Sequence, residues 1–332
     1  MKNYYLLLGA LLAAAAAFGS CSSGDAAAFS RMIGGASTAL LYQDCKAVSE
    51  DEIEFTFSQP VTVKELTLDP ELQVESIENG STVRIKLAET QSPGKLITAD
   101  LVAEDEKKNS INVLVSFRAR NNRMPDLIIN EICTEYASVT AGRKAEFIEL
   151  KMKSAGNLGA MRLCIVGNSN ASMQTIYEFS PAEVKNGDFV VVHLRALDPE
   201  STDELGSNLA ESKGLNSSPT ARDFWIPGNS KIIHKTSIVY ILDQDDAVLS
   251  AVMICEKPDL PWPKDYFKEA ADFLIDKGAW LEGPVLSAGA TNTRTICRDE
   301  TAANTKSAAD WYITATSSAT PGSVNNTKRY AN

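Results

Sequence analysis

Thr82-Val83-Arg84-Ile85-Lys86-Leu87 alternates polar and apolar side chains without a break. Successive side chains of a strand point to opposite faces. This stretch therefore buries Val83, Ile85 and Leu87 together and leaves Thr82, Arg84 and Lys86 to water. Just before it, Glu78-Asn79-Gly80-Ser81 is a hairpin signal, with asparagine and glycine at the positions that need positive φ. Toward the N-terminus, Gln73 to Ile77 reads as the partner strand and Leu66-Thr67-Leu68 precedes an Asp69-Pro70 turn. Val61-Thr62-Val63 follows Pro60, and Ile53, Phe55 and Phe57 share a face opposite Glu54, Thr56 and Ser58. In the other direction, Leu96 to Val102 and Ile111 to Phe117 flank the polar turn Asp105 to Asn109. Period-two patterning with turn signals at roughly 8–12-residue spacing predicts a small β-sandwich over residues 38–118.

The chain has 332 residues, comfortable for two cores. Residues 119–126 read as a linker; its basic run, Arg118 to Pro125, suits a solvated hinge better than an anion site. A second domain is expected over 127–326, with a tail at 327–332. Its strand signals are Leu127 to Ile132, Ala145 to Leu150, Met161 to Val166, Asp188 to Leu194, Ser237 to Leu242 and Ala247 to Cys255. Lys185-Asn186-Gly187 and Asp243 to Asp246 read as turns, although the second lacks the usual central glycine. Lys264 to Lys277 spaces Phe267, Ala270, Ala271, Leu274 and Ile275 as one helical face, with Pro263 as a start and Gly278 as a stop. That helix is expected to plug an edge or end of the sandwich. The fold class predicted is all-β, two sandwiches in tandem, the second with one amphipathic helix and a long loop insertion.

The first stretch resembles the immunoglobulin-like or fibronectin-like domains that precede other modules in bacterial envelope proteins. In the second, I-I-N-E-I at 128–132, E-F-I-E-L at 146–150, the strand around Arg294 and Arg298, Trp311 and the closing T-P-G-S-V-N at 320–325 together resemble a bacterial lamin-tail-like domain. That resemblance implies a compact immunoglobulin-like sandwich acting as an accessory module.

At the other end, Leu6 to Phe18 is an apolar run of 13 residues followed by Gly19-Ser20-Cys21. It is too short for a stable membrane-spanning helix, which needs about 20 residues, and suits a secretory signal. The residues before Cys21 resemble a bacterial lipobox, with Phe18 where leucine is commoner. The reading is a lipoprotein signal at 1–20, lipidation at Cys21 and a flexible tether at 21–37, as in Bacteroidetes-type surface lipoproteins. It places the protein in the cell envelope, lipid-anchored to the outer membrane of a Gram-negative bacterium. The formal net charge of -11 argues against a basic face for nucleic acid.

Candidate chemistry is sparse. Glu131, Glu146 and Glu149 could meet across adjacent strands for acid–base or metal work, though solvation or strand fixing is the simpler role. Asp243, Asp245 and Asp246 lack the spacing of a calcium loop. His193 and His234 are the two histidines, and no G-x-S-x-G or cysteine–histidine signature accompanies them. The six cysteines include Cys21; Cys45, Cys133, Cys164, Cys255 and Cys297 fit no zinc spacing and read as buried thiols, with a disulfide as the alternative. No cofactor, catalytic residue or metal ligand is assigned. The interval from Asp198 to Lys235 breaks the strand rhythm, and its Arg222, Phe224 and Trp225 are the leading contact residues if exposed, with Trp262 and Trp280 as further stacking platforms. The expected function is non-enzymatic adhesion, assembly or accessory binding to an envelope protein or polysaccharide. A carbohydrate-binding module and a hydrolase or nuclease are the alternatives.

Overall fold

The computed structural model describes residues 39–136, 145–167, 175–196 and 198–331. The expected signal, Cys21 and the tether lie outside these residues. The chain divides into two compact units. One runs to Glu89 and resumes over Ile97–Phe117; the other takes in Thr90–Leu96 and everything from Arg118 onward. Both are β-rich, and the one α-helix among the described residues lies in the second. No described helix is long and apolar enough to cross a membrane.

The first unit contains β1 (Tyr42–Ala47), β2 (Glu52–Asp69), β3 (Val74–Glu78), β4 (Gly80–Leu87), β5 (Leu96–Asp105) and β6 (Ser110–Arg118). They join in the order β3-β4-β2-β5-β6, with β1 also on β2. The alternation read from the sequence is realised: Ile53, Phe55, Phe57, Val83, Ile85 and Leu87 are all buried. Three segments expected as separate strands are one continuous strand, β2. Its first part pairs with β1 and β4, and its second part with β5. Pro60, which has no N–H to donate, falls where the β2–β4 ladder is interrupted between Thr56 and Val61. The hairpin at Asn79-Gly80 also differs from expectation. Glu78 pairs with Arg84, so the loop is wider than two residues, and neither Asn79 nor Gly80 has positive φ. Gly80 instead pairs with Val61 of β2, and the Asn79 side chain accepts from the Val63 amide at 2.9 Å.

The second unit opens with β7 (Leu127–Cys133), β8 (Phe147–Met152), β9 (Gly156–Asn157), β10 (Arg162–Gly167) and β11 (Thr175–Glu178). β12 (Glu183–Val184), β13 (Phe189–His193), β14 (Arg222–Trp225), β15 (Ser237–Leu242) and β16 (Val248–Cys255) follow. Then come α1 (Asp265–Asp276), β17 (Val285–Leu286), β18 (Ile296–Arg298) and β19 (Trp311–Ile313). One sheet has the order β14-β13-β8-β7-β18-β19 and another β11-β10-β15-β16-β17; β9 and β12 form a two-stranded ladder. Ile129, Ile148, Leu150, Val190 and Val192 of the β8 sheet share a core with Leu163, Ile165, Val239, Ile241 and Val252 of the β15 sheet.

Every residue of β15 is buried, which needs cover on both faces. The helix supplies the second cover. It lies against β10, β15 and β16 through Phe267, Ala270, Ala271 and Leu274, and Phe273 meets Tyr240 ring to ring at 6.0 Å. It therefore covers a face, not the edge or end expected from the sequence. Ile275 is 48% exposed, since one residue beyond Leu274 turns away from the sheet. Gly278 ends the helix at φ 63°.

The arginines of the basic run are paired while Arg118 and Arg123 stay exposed. Arg118 pairs with Glu178, Arg120 with Asp245 and Arg123 with Glu183, each at 2.6–2.7 Å. Asn121 is buried and donates to the carbonyls of Asn157 and Gly159. The turn at Asp243–Asp246 works without glycine because Asp246 itself adopts φ 62° and the Asp243 carboxylate accepts the amides of Asp245 and Ala247. None of the five described cysteines is in a disulfide, and all but Cys45 are buried.

Phe267→Ala should cost about 3–5 kcal/mol of stability, against less than about 0.5 kcal/mol for Ile275→Ala, in denaturant unfolding. Equal losses at the two positions would contradict the helix placement.

Candidate functional site

The polar groups of the second unit gather on the β8 sheet, on the face turned away from the shared core. The register of β7 against β8 slips between Ile129 and Glu131. This lets Ile129 and Ile132, three residues apart, both enter the core, and it sets Glu131 directly opposite Glu149. Both carboxylates are fully buried.

Two like charges facing each other without water need donors, and the closing segment provides them. Glu131 accepts from the Thr320 amide at 3.0 Å, from the Thr320 hydroxyl at 3.2 Å and from the Thr295 hydroxyl. Glu149 accepts from the Gly322 amide at 2.6 Å and from the Asn130 side chain at 2.8 Å. Asn325 then donates to the carbonyls of Asn130 and Arg298 at 3.0 and 2.8 Å. Gly322 has φ 82°, and a β-carbon there would sit 2.1 Å from the Ser218 hydroxyl, so only glycine fits. Burial pushes the pKa of Glu149 well above the ordinary carboxylate range, and the neighbouring Glu131 adds to this. Burial also raises Glu131, against the pull of its hydrogen bonds.

A second cluster lies at the β13–β14 side of the same face. His193 Nε2 is 2.9 Å from Asp223 Oδ1, and Asp223 Oδ2 accepts the Ser218 amide at 2.6 Å. Glu204 accepts the amides of Asp223 and Ser212, and burial raises its pKa. The Trp225 ring stacks on the His193 imidazole, 3.8 Å between centroids and 11° from parallel. Beside them, Arg195 forks onto Glu146 at 2.6 and 2.7 Å and lies over the Tyr136 ring.

Histidine and two carboxylates thus do meet, but His193 is 1% exposed and Asp223 fully buried, so a substrate would have to displace Trp225 to reach them. Among the described residues, no group of three or more His, Cys, Asp or Glu is arranged to hold a metal ion. Burial lowers the pKa of His234, and the Lys231 charge adds to this. Asp245 and Asp246 are taken by Arg120 and Arg162.

The expected contact residues are largely inside. Phe224 is buried in the core against Phe179 and Tyr177. Trp225, 4% exposed, donates its indole N–H to Ser212 at 3.0 Å. Trp280 is buried and donates to the Gly283 carbonyl at 2.9 Å. Trp262 is half-buried and stacks on Phe267. Arg222 is buried at the rim of the sheet edge, with its donors on backbone carbonyls. The reason is a strand the sequence reading missed: β14 lies inside the irregular interval and runs parallel to β13. Alternation along it sends Phe224 into the core and Trp225 over His193. The sequence reading also missed Arg195, Asn130, Asp223 and Asn325 as structural polar residues; Asn130 lies inside I-I-N-E-I and Asn325 ends the closing phrase, whereas Arg195 and Asp223 lie in neither.

Residues 125–313 match the model of the TP_1001 protein second domain. The chain belongs to this family. An uncharacterized protein of Treponema pallidum (strain Nichols) is 28% identical over 187 residues, which are 54% of this chain and 46% of that protein. The chain thus spans less than half the length of that relative. Among solved structures, a DUF4876 family protein from Bacteroides thetaiotaomicron is similar with a TM-score of 0.33 and 12% identity, over 75% of this chain and 90% of that one. The N-terminal part of the bacterial S-layer protein SbsC is similar with a TM-score of 0.25 and 13% identity, over 70% of this chain and 46% of that one. The family region holds Glu131, Glu149, His193 and Asp223, whereas Thr320, Gly322 and Asn325 lie beyond its last matched residue.

The raised pKa of Glu149 has a definite sign for stability. Unfolded, it titrates near about 4.3. From there up to its folded value, the folded state holds the extra proton, so stability falls as pH rises through this window. Glu149→Gln removes that titration. The stability of the wild type relative to the variant should therefore decline with rising pH above about 4.3 in chemical unfolding series. Parallel pH profiles would contradict the buried-pair account.

Proposed function

We propose that this protein is a lipid-anchored, non-enzymatic component of a Gram-negative outer membrane, serving adhesion, assembly or accessory binding. In this reading the first unit is an immunoglobulin-like spacer. The second is a lamin-tail-like sandwich held away from the membrane, on a tether that begins at Cys21. The observation that carries the reading is the use made of the reactive side chains. Glu131, Glu146, Glu149, His193 and Asp223 are each buried and each hydrogen-bonded to a named internal partner. Groups held in this way fix strands and segments, whereas acid–base work needs a substrate within about 3 Å of the group.

The burial of Trp225 and Trp280 weighs against the stacking-platform version of carbohydrate binding. The apolar run ending at Gly19-Ser20-Cys21 supports the anchor, because two or more acyl chains give stable attachment.

Anchoring is tested by expressing the full chain with labelled palmitate in a Gram-negative host. The wild type should carry label and sediment with membranes, and Cys21→Ser should lose both. Membrane retention of an unlabelled Cys21→Ser form would overturn it. The non-enzymatic part is tested on the native envelope: the wild type should be retained by an envelope protein or polysaccharide without degrading it. Degradation that His193→Gln abolishes would favour the hydrolase alternative.

A further inference from the structure

β7 and β16 come together across an unzipped stretch of the two sheets. β18 pairs with β7 only at Glu131 and Ile132, and β17 pairs with β16 only at Ile254 and Cys255. Residues 127–129 and 248–251 therefore have no strand partner on that side, and the Ile129 amide donates across to the Ser250 hydroxyl at 3.0 Å. Between them lies a slit of about 70 Å³, walled in part by Leu249, Ala279, Trp280, Arg298 and Trp311.

Arg298 is the informative member. It is 5% exposed and donates once, from Nη2 to Asp310 at 3.5 Å. Asp310 meets its charge, so the site does not call for an anion. The hydrogen-bonding capacity of the guanidinium is not met. Nε and Nη1 have no partner among the described residues, yet they are not among the unpartnered polar atoms sealed from solvent. Asp310 is not free to turn toward them, because the Thr305 hydroxyl at 2.9 Å and the Lys306 amide at 3.2 Å hold its two oxygens. Donors without partners in a site of balanced charge favour a neutral acceptor.

Size and lining narrow the acceptor. The slit has about half the ~150 Å³ of an engineered cavity that holds benzene, so a ring stays outside and a group of a few heavy atoms enters. The side chains of Leu249, Ala279 and Trp280 give that group an apolar wall, which suits a methyl better than water. An acetyl group joins a carbonyl to a methyl. As an acetamide it adds an N–H, which the backbone of an open strand edge can accept. Trp311 is half-buried, so it carries the wall out to solvent, and its indole N–H has no partner among the described residues. An indole in that position offers a sugar ring a stacking face.

We propose that this slit takes the acetamido group of an N-acetylated amino sugar. The carbonyl accepts from Arg298, the methyl lies against Leu249 and Ala279, and the pyranose ring stays outside against Trp311. This names a ligand class for the accessory-binding reading, but the site belongs to the second unit alone, so a failed lipidation test leaves it standing.

Saturation-transfer NMR on the full chain in a polyoxyethylene detergent tests the proposal. The probes are the methyl glycosides of N-acetylglucosamine and N-acetylgalactosamine, methyl glucoside, and N-ethylacetamide. At least one N-acetylated glycoside should receive saturation, most strongly at its acetyl methyl. Methyl glucoside and N-ethylacetamide should each bind about tenfold more weakly or worse. Ala279→Leu, which narrows the slit, and Trp311→Ala, both checked for native circular dichroism, should each weaken the bound glycoside about tenfold or more. Arg298→Gln should do the same where it folds; the other two variants keep the test decisive where it does not. Failure of both N-acetylated glycosides, or equal binding of methyl glucoside, would overturn the proposal. N-ethylacetamide binding as tightly as the glycosides would overturn it in favour of a peptide amide. Wild-type affinity in both Ala279→Leu and Trp311→Ala would overturn the placement.

Discussion

Glu131 and Glu149 face each other across β7 and β8 with no access to water, and the second unit is organised around that fact. An ionised carboxylate in a dry interior is tolerated only when donors surround it, and two of them opposite one another raise the demand. The donors are not on the neighbouring strands alone. They are the backbone amides of Thr320 and Gly322, brought from the far end of the chain. The separations are 189 and 173 residues. The unit cannot satisfy its own central polar pair until that segment has docked. Loss of one donor would leave a buried acceptor exposed to a desolvation cost of about 1–3 kcal/mol.

The same logic explains neighbouring features. Asn325 links the carbonyls of Asn130 and Arg298, so the closing segment holds two adjacent strands, β7 and β18. Thr220, next to β14, donates its hydroxyl to the Gly322 carbonyl. The 198–221 interval and the closing segment therefore brace one another over the β8 sheet. Under this cover sits the His193–Asp223 pair, oriented by Ser218 and capped by Trp225. Buried carboxylates that are each held by several donors favour one arrangement of these segments, because an alternative strands acceptors.

The parts legible in the sequence are those whose partners are near in sequence or whose period is regular. Thr82 to Leu87 reads as a strand because its alternation is complete, and the helix from Asp265 to Asp276 shows its face and its glycine stop. The hairpin at Asn79-Gly80 misleads because Gly80 is engaged by Val61, a tertiary contact that overrides the local turn preference. β14 escapes because four residues are too few to show a period within an irregular interval. Trp225 and Trp280 were ambiguous for a chemical reason: a tryptophan that caps a core and one that stacks on a ligand are the same residue with the same neighbours in sequence. The pairing of the linker arginines is not legible because their acids, Glu178, Glu183 and Asp245, lie far along the chain. The acidic motifs and the closing phrase were visible as signals, but their meeting in space was not.

Native-state hydrogen exchange at the amides of Thr320 and Gly322 tests the central claim most directly. These amides lie in a segment without strand pairing of its own. If they donate to the buried carboxylates, they should exchange as slowly as the amides of β7 and β8, and Glu131→Ala should release Thr320 while leaving the strands protected. Exchange of both amides at the rate of an open surface loop in the wild type would contradict the account.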